Sequence, residues 1–283
     1  MKKILITGSD GFLGKHLRQN LPEYEVKTFD IADGDIVTHK FSDMGIHHAF
    51  HLAAMTSAPQ SWDNPFEYYQ VNMLGTVNIL EYCRKTGTSM TYVNTYPYGM
   101  PKYNPIDEQH PCAPNTVYNH SKHLAEDICR FYAENYGVSV TVLRLFNLYG
   151  GGQSSSFLIP HIVKQALFNT QIDVMDLDPK RDYVYIDDVV EALRLTIGKS
   201  GFSVYNVGSG ESKSVKEVCD CVVDIIGTQK TIVSADNKRK NEVTNIQADI
   251  SKIQSELGWN PATNFIDGLR KTIHHYQQEG QTS

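Results

Sequence analysis

Residues 1–14 read MKKILITGSDGFLG: a short apolar run, Ile4-Leu5-Ile6, leads directly into Gly8, Gly11 and Gly14 at three-residue spacing. Glycine lets the chain turn sharply after a strand and lets backbone N–H groups approach a phosphate closely. Phe12, Leu13 and Leu17 follow at helical spacing, so the turn opens a helix whose positive end faces that phosphate. The next apolar stretch (Val26, Thr28, Phe29) closes on Asp30, a carboxylate able to hold two ribose hydroxyls. Three glycines alone are a weak signal. Strand, turn, helix and terminal acid together predict a dinucleotide site at Gly8, Gly11, Phe12, Leu13, Gly14 and Asp30.

Working outward, apolar runs of strand length alternate with helical patterns. Strands are expected at Lys3–Thr7, Glu25–Phe29, Ala49–Ala53, Met90–Asn94 and Val138–Arg144, and helices at Gly11–Asn20, Pro65–Lys85 and Thr116–Tyr136. This alternation predicts an α/β fold, a doubly wound parallel (Rossmann) sheet covered on both faces. Only Ile31 to Gly34 separates Asp30 from Asp35-Ile36, too little for a crossover helix, so one corner of the sheet is expected to be trimmed.

Beyond Gly150 the pattern changes. Gly150–Gly152 and Ser154–Ser156 predict a flexible loop. Short strands are expected at Tyr183–Ile186 and Val204–Val207, and helices at Val215–Ile226, Ser251–Leu257 and Phe265–His275. The domains expected are 1–147 plus about 183–207 for the dinucleotide, and about 148–182 plus 208–283 as a smaller, mostly C-terminal α/β substrate domain.

Composition narrows the function classes. Of 283 residues 20% are charged, with a formal net charge of −6, so nucleic acid and anionic membranes are disfavoured as partners. Positive charge for an anionic substrate must then be local. The five scattered cysteines suit free thiols in a reducing compartment, and a cytoplasmic setting is expected. The apolar run after Lys2-Lys3 stops at Thr7-Gly8, short of an export segment. His47/His51 and His120/His123 lack a matching acid or cysteine to complete a ligand set, so no metal is expected.

Tyr118 and Lys122 form Tyr-x-x-x-Lys early in the third expected helix. Residues four apart share a helix face, which places an ammonium beside a phenol. Such a charge is expected to lower the tyrosine pKa and make a base for a sugar hydroxyl. Tyr98 and Lys102 share the spacing, but Gly99 and Pro101 forbid a helix between them.

With these motifs in order, the chain resembles the extended short-chain dehydrogenase/reductases, specifically the NAD-dependent nucleotide-sugar epimerases and dehydratases. The resemblance runs through Gly8–Gly14, Asp30, Asp35-Ile36, His51–Ala54, Asn72–Thr76, Tyr96–Gly99, Tyr118–Lys122, Arg144–Asn147, Arg181–Val184, Asn206–Gly208 and Ala248-Asp249 before Leu257–Trp259. It implies NAD as cofactor, with Leu52, Ala53 and Ala54 along its ribose and phosphates, Asp35 and Ile36 at its adenine, and Tyr118 and Lys122 also in contact. It implies Asn147, Arg181 and Arg239 at the diphosphate of a nucleotide sugar, where guanidinium forks bind bidentately. It also implies a homodimer through helices 65–85 and 116–136.

One position departs from the family. Relatives carry Ser or Thr five residues before the glycine of the Tyr-Gly pair, and here Asn94 stands there, followed by Thr95. Asn donates a hydrogen bond but relays no proton, so either Thr95 serves after the strand has ended or Asn94 only polarises the sugar oxygen. Thr95 is the favoured reading.

The resemblance also orders the reactions. Family dehydratases follow the Ser/Thr with an acidic pair, and Thr95-Tyr96 carries none. An epimerase needs only reversible oxidation at sugar carbon 4, rotation of the keto intermediate and hydride return. A 4-keto-sugar reductase would favour NADPH, whose 2′-phosphate Asp30 repels. The order is epimerase, then 4,6-dehydratase, then reductase; a non-catalytic NAD-binding sensor is the alternative of a different class.

Overall fold

Six parallel strands form the central sheet of the computed structural model, which describes residues 1–237 and 243–282. The chain runs through β1 (Lys3–Thr7), α1 (Phe12–Gln19), β2 (Glu25–Phe29), β3 (Ile46–His51), α2 (Pro65–Tyr69), α3 (Gly75–Thr86), β4 (Ser89–Thr95), α4 (Val117–Tyr136), β5 (Val140–Leu145) and β6 (Asn147–Tyr149). It continues through α5 (Leu158–Phe168), β7 (Gln171–Val174), β8 (Lys180–Tyr185), α6 (Ile186–Arg194), β9 (Phe202–Val207) and β10 (Ser212–Ser214). Last come α7 (Val215–Ile226), β11 (Thr231–Ser234), α8 (Ser251–Leu257) and α9 (Phe265–Thr282).

The sheet order is β2-β1-β3-β4-β5-β9, so all six strands end on one edge. Its strands are apolar because both faces are covered. Leu5, Ala49, Tyr92 and Val142 pack under α3 and α4 against Ile79, Leu80, Ala125 and Cys129. Ile4, Ile6, Phe50, Leu143 and Val207 pack on the opposite side against Leu17, Val189, Leu193 and Ile253. Each such fully buried aliphatic side chain contributes roughly 1.5–3 kcal/mol.

The sheet stops at β2. After Asp30 the chain makes one 3-10 turn, Ile31–Asp33, and crosses to β3 on the far side of β1. That is the trimmed corner expected from the short Asp30–Asp35 spacing. β3 lies three residues earlier than Ala49–Ala53, which leaves Leu52–Ala54 as loop beyond the strand end. The expected helix 65–85 is divided into α2, one π-helical turn at Gln70–Leu74, and α3.

A second sheet, β10-β8-β6, and the pair β11-β7 lie with α5, α7 and α9 around a separate core that includes Tyr149, Ile162, Tyr185, Val218 and Leu269. The strand expected at Tyr183–Ile186 is β8, and it pairs in this smaller sheet; α6 and β9 then return the chain to the large one. Gly150, Gly151 and Gln153 are buried rather than loose. A Cβ on Gly151 would lie 2.6 Å from the His275 ring, and the Tyr276 hydroxyl donates to the Gln153 carbonyl at 2.5 Å. Packing by α9 holds the start of this loop. No helix among the described residues is long and apolar enough to cross a membrane.

Candidate active site

The glycine turn sits where β1 runs out. Gly8 has a φ of +74°, its N–H donates to the Phe29 carbonyl at 2.8 Å, and a Cβ there would come within 2.7 Å of the Ala53 nitrogen. Only glycine fits that corner. Gly11 begins α1 without a side-chain cap, which leaves first-turn N–H groups for an external anion. Asp30 lies across the turn, its carboxylate accepting from the N–H of Asp10 at 2.7 Å and of Ile31 at 2.8 Å. An uncapped helix start, a corner too tight for a side chain and an adjacent carboxylate fit a dinucleotide.

Of the other residues expected at the cofactor, Leu52 and Ala53 border this turn. The Leu52 N–H donates to the Thr7 carbonyl at 3.1 Å, and the Met55 N–H to the Asn72 side chain at 2.8 Å, fixing Leu52–Ala54 beside Gly8. Asp35 accepts from the Val37 N–H at 2.9 Å, and Ile36 is buried against α3 at Gly75.

Tyr118 is at the start of α4, which Thr116 caps by accepting the Asn119 N–H at 3.0 Å. A hydrogen-bonded chain ties this turn back to β1. Thr7 bonds His51 at 2.8 Å, His51 bonds Thr76 at 3.0 Å, and Thr76 donates to the Asn72 carbonyl at 2.7 Å. Asn72 donates to Ser121 at 2.9 Å, and Ser121 to the Tyr118 carbonyl at 2.8 Å. Asn72 stands in the π-helical turn, a distortion common at functional sites. Burial holds the His51 pKa at about 3, so it serves as a neutral strut.

Burial pushes the Tyr118 phenol up, against the lowering expected from Lys122; the neighbouring Thr95 side chain opposes that rise. The Lys122 ammonium does lie on the same side of α4, but it is itself buried, 4.1 Å from the centre of the Tyr92 ring. Desolvation pulls its pKa down to about 7. Loss of solvent is the largest cause of both shifts, and neither side chain is among the groups that act on the other.

The two strand-end residues part company. Thr95 faces Tyr118, whereas Asn94 is buried and donates from Nδ2 to Glu126 at 2.6 Å. Glu126 also receives Arg144, Nη2 to Oε1 at 2.5 Å and Nε to Oε2 at 3.1 Å. Asn94 thus points into a structural ion pair rather than toward Tyr118.

On the side of the smaller sheet, Asn147 donates to the Asp182 carbonyl at 3.2 Å, and Arg181 donates to the Val243 carbonyl at 2.7 Å. Arg239 lies outside the described residues. Two tyrosines not singled out from the sequence join this wall. Tyr96 stacks on Phe146 with ring centres 5.0 Å apart. Tyr183 has a buried hydroxyl with no hydrogen-bond partner among the described residues, and Arg181, Tyr96 and Cys219 are charged or titratable groups that act on it. A buried O–H left unpaired beside a guanidinium suits an anionic oxygen. The only signal in sequence was its place directly after Arg181-Asp182.

A glycine turn facing a Tyr-x-x-x-Lys helix along one sheet edge defines an extended short-chain dehydrogenase/reductase. Residues 15–272 match the family model described as GDP-mannose 4,6 dehydratase, and the chain belongs to that family. It is 30% identical over 287 residues to the Bacillus subtilis protein described as an uncharacterized UDP-glucose epimerase, YtcB, covering 96% of this chain and 90% of that one. Among solved structures, it resembles the Thermotoga maritima UDP-glucose 4-epimerase with UDP-glucose (26% identity, TM-score 0.91, 98% and 99% coverage). It is also similar to the Bacillus cereus UDP-glucuronic acid 4-epimerase in complex with UDP-glucuronic acid and NAD (25% identity, TM-score 0.90, 98% and 99% coverage).

Proposed function

We propose that this protein is an NAD-dependent nucleotide-sugar epimerase that acts by transient oxidation at sugar carbon 4. The observation that carries the reading is the company Tyr118 keeps. The groups that act on its phenol are Thr95, Tyr96 and Tyr68, with no carboxylate among them. Glu126, on the same helix, is engaged by Arg144 and Asn94. An elimination of water needs an acid or base at the neighbouring carbons, and among the described residues no carboxylate acts on the phenol. Reversible oxidation needs only a base and a hydride partner.

In this reading Tyr118 takes the proton from the carbon-4 hydroxyl and returns it after the sugar has turned over. Thr95 donates a hydrogen bond to the same oxygen, and Lys122 bears on the phenolate charge. The bound nicotinamide supplies the hydride acceptor and donor. Gly8, Gly11, Phe12, Leu13, Gly14 and Asp30 hold the dinucleotide, with Leu52–Ala54 along it and Asp35 and Ile36 at its adenine. Arg181, Asn147 and the Tyr183 hydroxyl hold the sugar-nucleotide diphosphate, and Arg239 is assigned there from sequence alone. The large sheet then serves the cofactor and the smaller sheets the substrate.

Five unpaired thiols support a cytoplasmic setting. Large apolar side chains exposed along the proposed pairing helices, Phe66 at 74% and Phe131 at 54%, support a homodimer. The test is incubation with a panel of nucleotide sugars and NAD. A product of unchanged mass and altered retention supports the epimerase; loss of water supports a dehydratase; reduction that requires added NADPH supports a reductase; and no conversion supports the sensor.

A further inference from the structure

The residue that departs from the family pattern is not idle. Asn94 is the penultimate residue of β4 and has both halves of its amide engaged: Nδ2 donates to Glu126 at 2.6 Å, and Oδ1 accepts the N–H of Thr95 at 2.8 Å. Glu126 is one turn beyond Lys122 and two beyond Tyr118 on α4, so this one amide sets the register between the strand end and the helix. Arg144 on β5 fixes Glu126 from the other side through two bonds, and its Nη1 donates to the Tyr98 hydroxyl at 2.8 Å. Tyr98 in turn donates to Asn206 on β9 at 2.6 Å. Asn94, Glu126, Arg144 and Asn206 are all buried, so water does not compete with these bonds.

We propose that Asn94 is a positioning residue: clamped to Glu126, its side chain turns the end of β4 so that the Thr95 hydroxyl meets Tyr118. The proposal rests on the catalytic reading given to Thr95 above. It explains how a chain with asparagine at the usual hydroxyl position keeps a hydroxyl at the phenol, one residue later. Thr95 is the last residue of β4, paired with Leu145 of β5, and the chain leaves the sheet directly after it. The Asn94 Oδ1 occupies the backbone donor of that last residue and so ties Thr95 to the clamped amide. The groups around the phenol are Tyr68 from α2, Tyr92 and Thr95 from β4, and Tyr96 just beyond that strand.

The test is a double-variant cycle of Asn94→Ala with Thr95→Val, read by kcat, KM and the pH profile of kcat. Asn94→Ala is expected to lower kcat about 10- to 100-fold, the scale of a slight misplacement, with KM within about twofold. Its acidic limb moves to higher pH in the same direction as that of Thr95→Val, because the phenol loses the neighbour that opposes its rise. The double variant falls no further than Thr95→Val alone. Ultraviolet difference titration against Tyr118→Phe reads the same upward shift without turnover. Glu126→Gln, which keeps the side-chain shape, gives a smaller shift in the same direction and replaces Asn94→Ala should that variant not fold. A variant with wild-type kcat and profile, or losses that multiply in the double variant, overturns the clamp. Full turnover by Thr95→Val instead overturns the catalytic reading of Thr95 on which the clamp depends.

Discussion

The Lys122 ammonium lies 4.1 Å from the centre of the Tyr92 ring, enclosed between β4 and α4. An aromatic face supplies negative potential without a carboxylate, roughly 2 kcal/mol for a desolvated cation. Burial nevertheless pulls the lysine from its usual 10.5 to about 7, so its charge is present below that pH and lost above it. Turnover that needs the ammonium therefore declines through a basic limb near pH 7 in the kcat/KM profile, which reports the enzyme before substrate binds. Tyr92→Leu is expected to move that limb lower and to cut activity at pH 7.5 by roughly 10-fold.

The same burial has a stability consequence of opposite sense. Between pH 7 and 10.5 the unfolded chain holds a proton on Lys122 that the folded chain has released, so stability rises with pH across that window. Lys122→Met removes the cost that applies below it. Thermal unfolding of the cofactor-free variant at pH 7 is expected to show a gain on the order of 1 kcal/mol, with turnover abolished.

Asp30 carries the cofactor preference. Its carboxylate accepts from Asp10 and Ile31 and stands where a ribose would meet the end of β2. Asp30→Ala is expected to weaken NAD binding about 10- to 100-fold, the value of one charge-assisted hydrogen bond or more. The penalty against NADP falls at the same time, and binding titrations with both dinucleotides measure the ratio.

The Glu126–Arg144 pair is a costly contact to break. Both side chains are at most 4% exposed, so removing one strands the other as an unpaired buried charge. Glu126→Ala is expected to lose about 3–5 kcal/mol in denaturant unfolding.

Phe66 and Phe131 test the dimer. Phe66→Glu and Phe131→Glu each place a charge on surface that pairing would cover, and sedimentation is expected to shift toward monomer with little change in folding. A wild-type protein that sediments as a monomer at micromolar concentration contradicts the proposed pairing.

Much of the large sheet is written in local pattern. β1 and β2 follow directly from apolar runs bounded by Gly8 and Asp30, and α4 from the Thr116 cap and the Gly137 terminator. The three- and four-residue strands β6, β7, β10 and β11 carry no such pattern, because their partners are distant in sequence and decide their conformation. The site divides the same way. Tyr-x-x-x-Lys gives adjacency on a helix, yet the seat of Lys122 on Tyr92 and the sign of the Tyr118 shift depend on burial. The choice between Asn94 and Thr95 rests on a bond to Glu126, 32 residues away, which no local rule reveals.

The most direct test follows one hydrogen. With a nucleotide sugar deuterated at carbon 4 and unlabelled NAD, the account predicts a carbon-4 epimer of unchanged mass that keeps its deuterium at carbon 4, and no product from Tyr118→Phe. Deuterium found at another carbon with loss of water, or conversion that survives Tyr118→Phe, would contradict it.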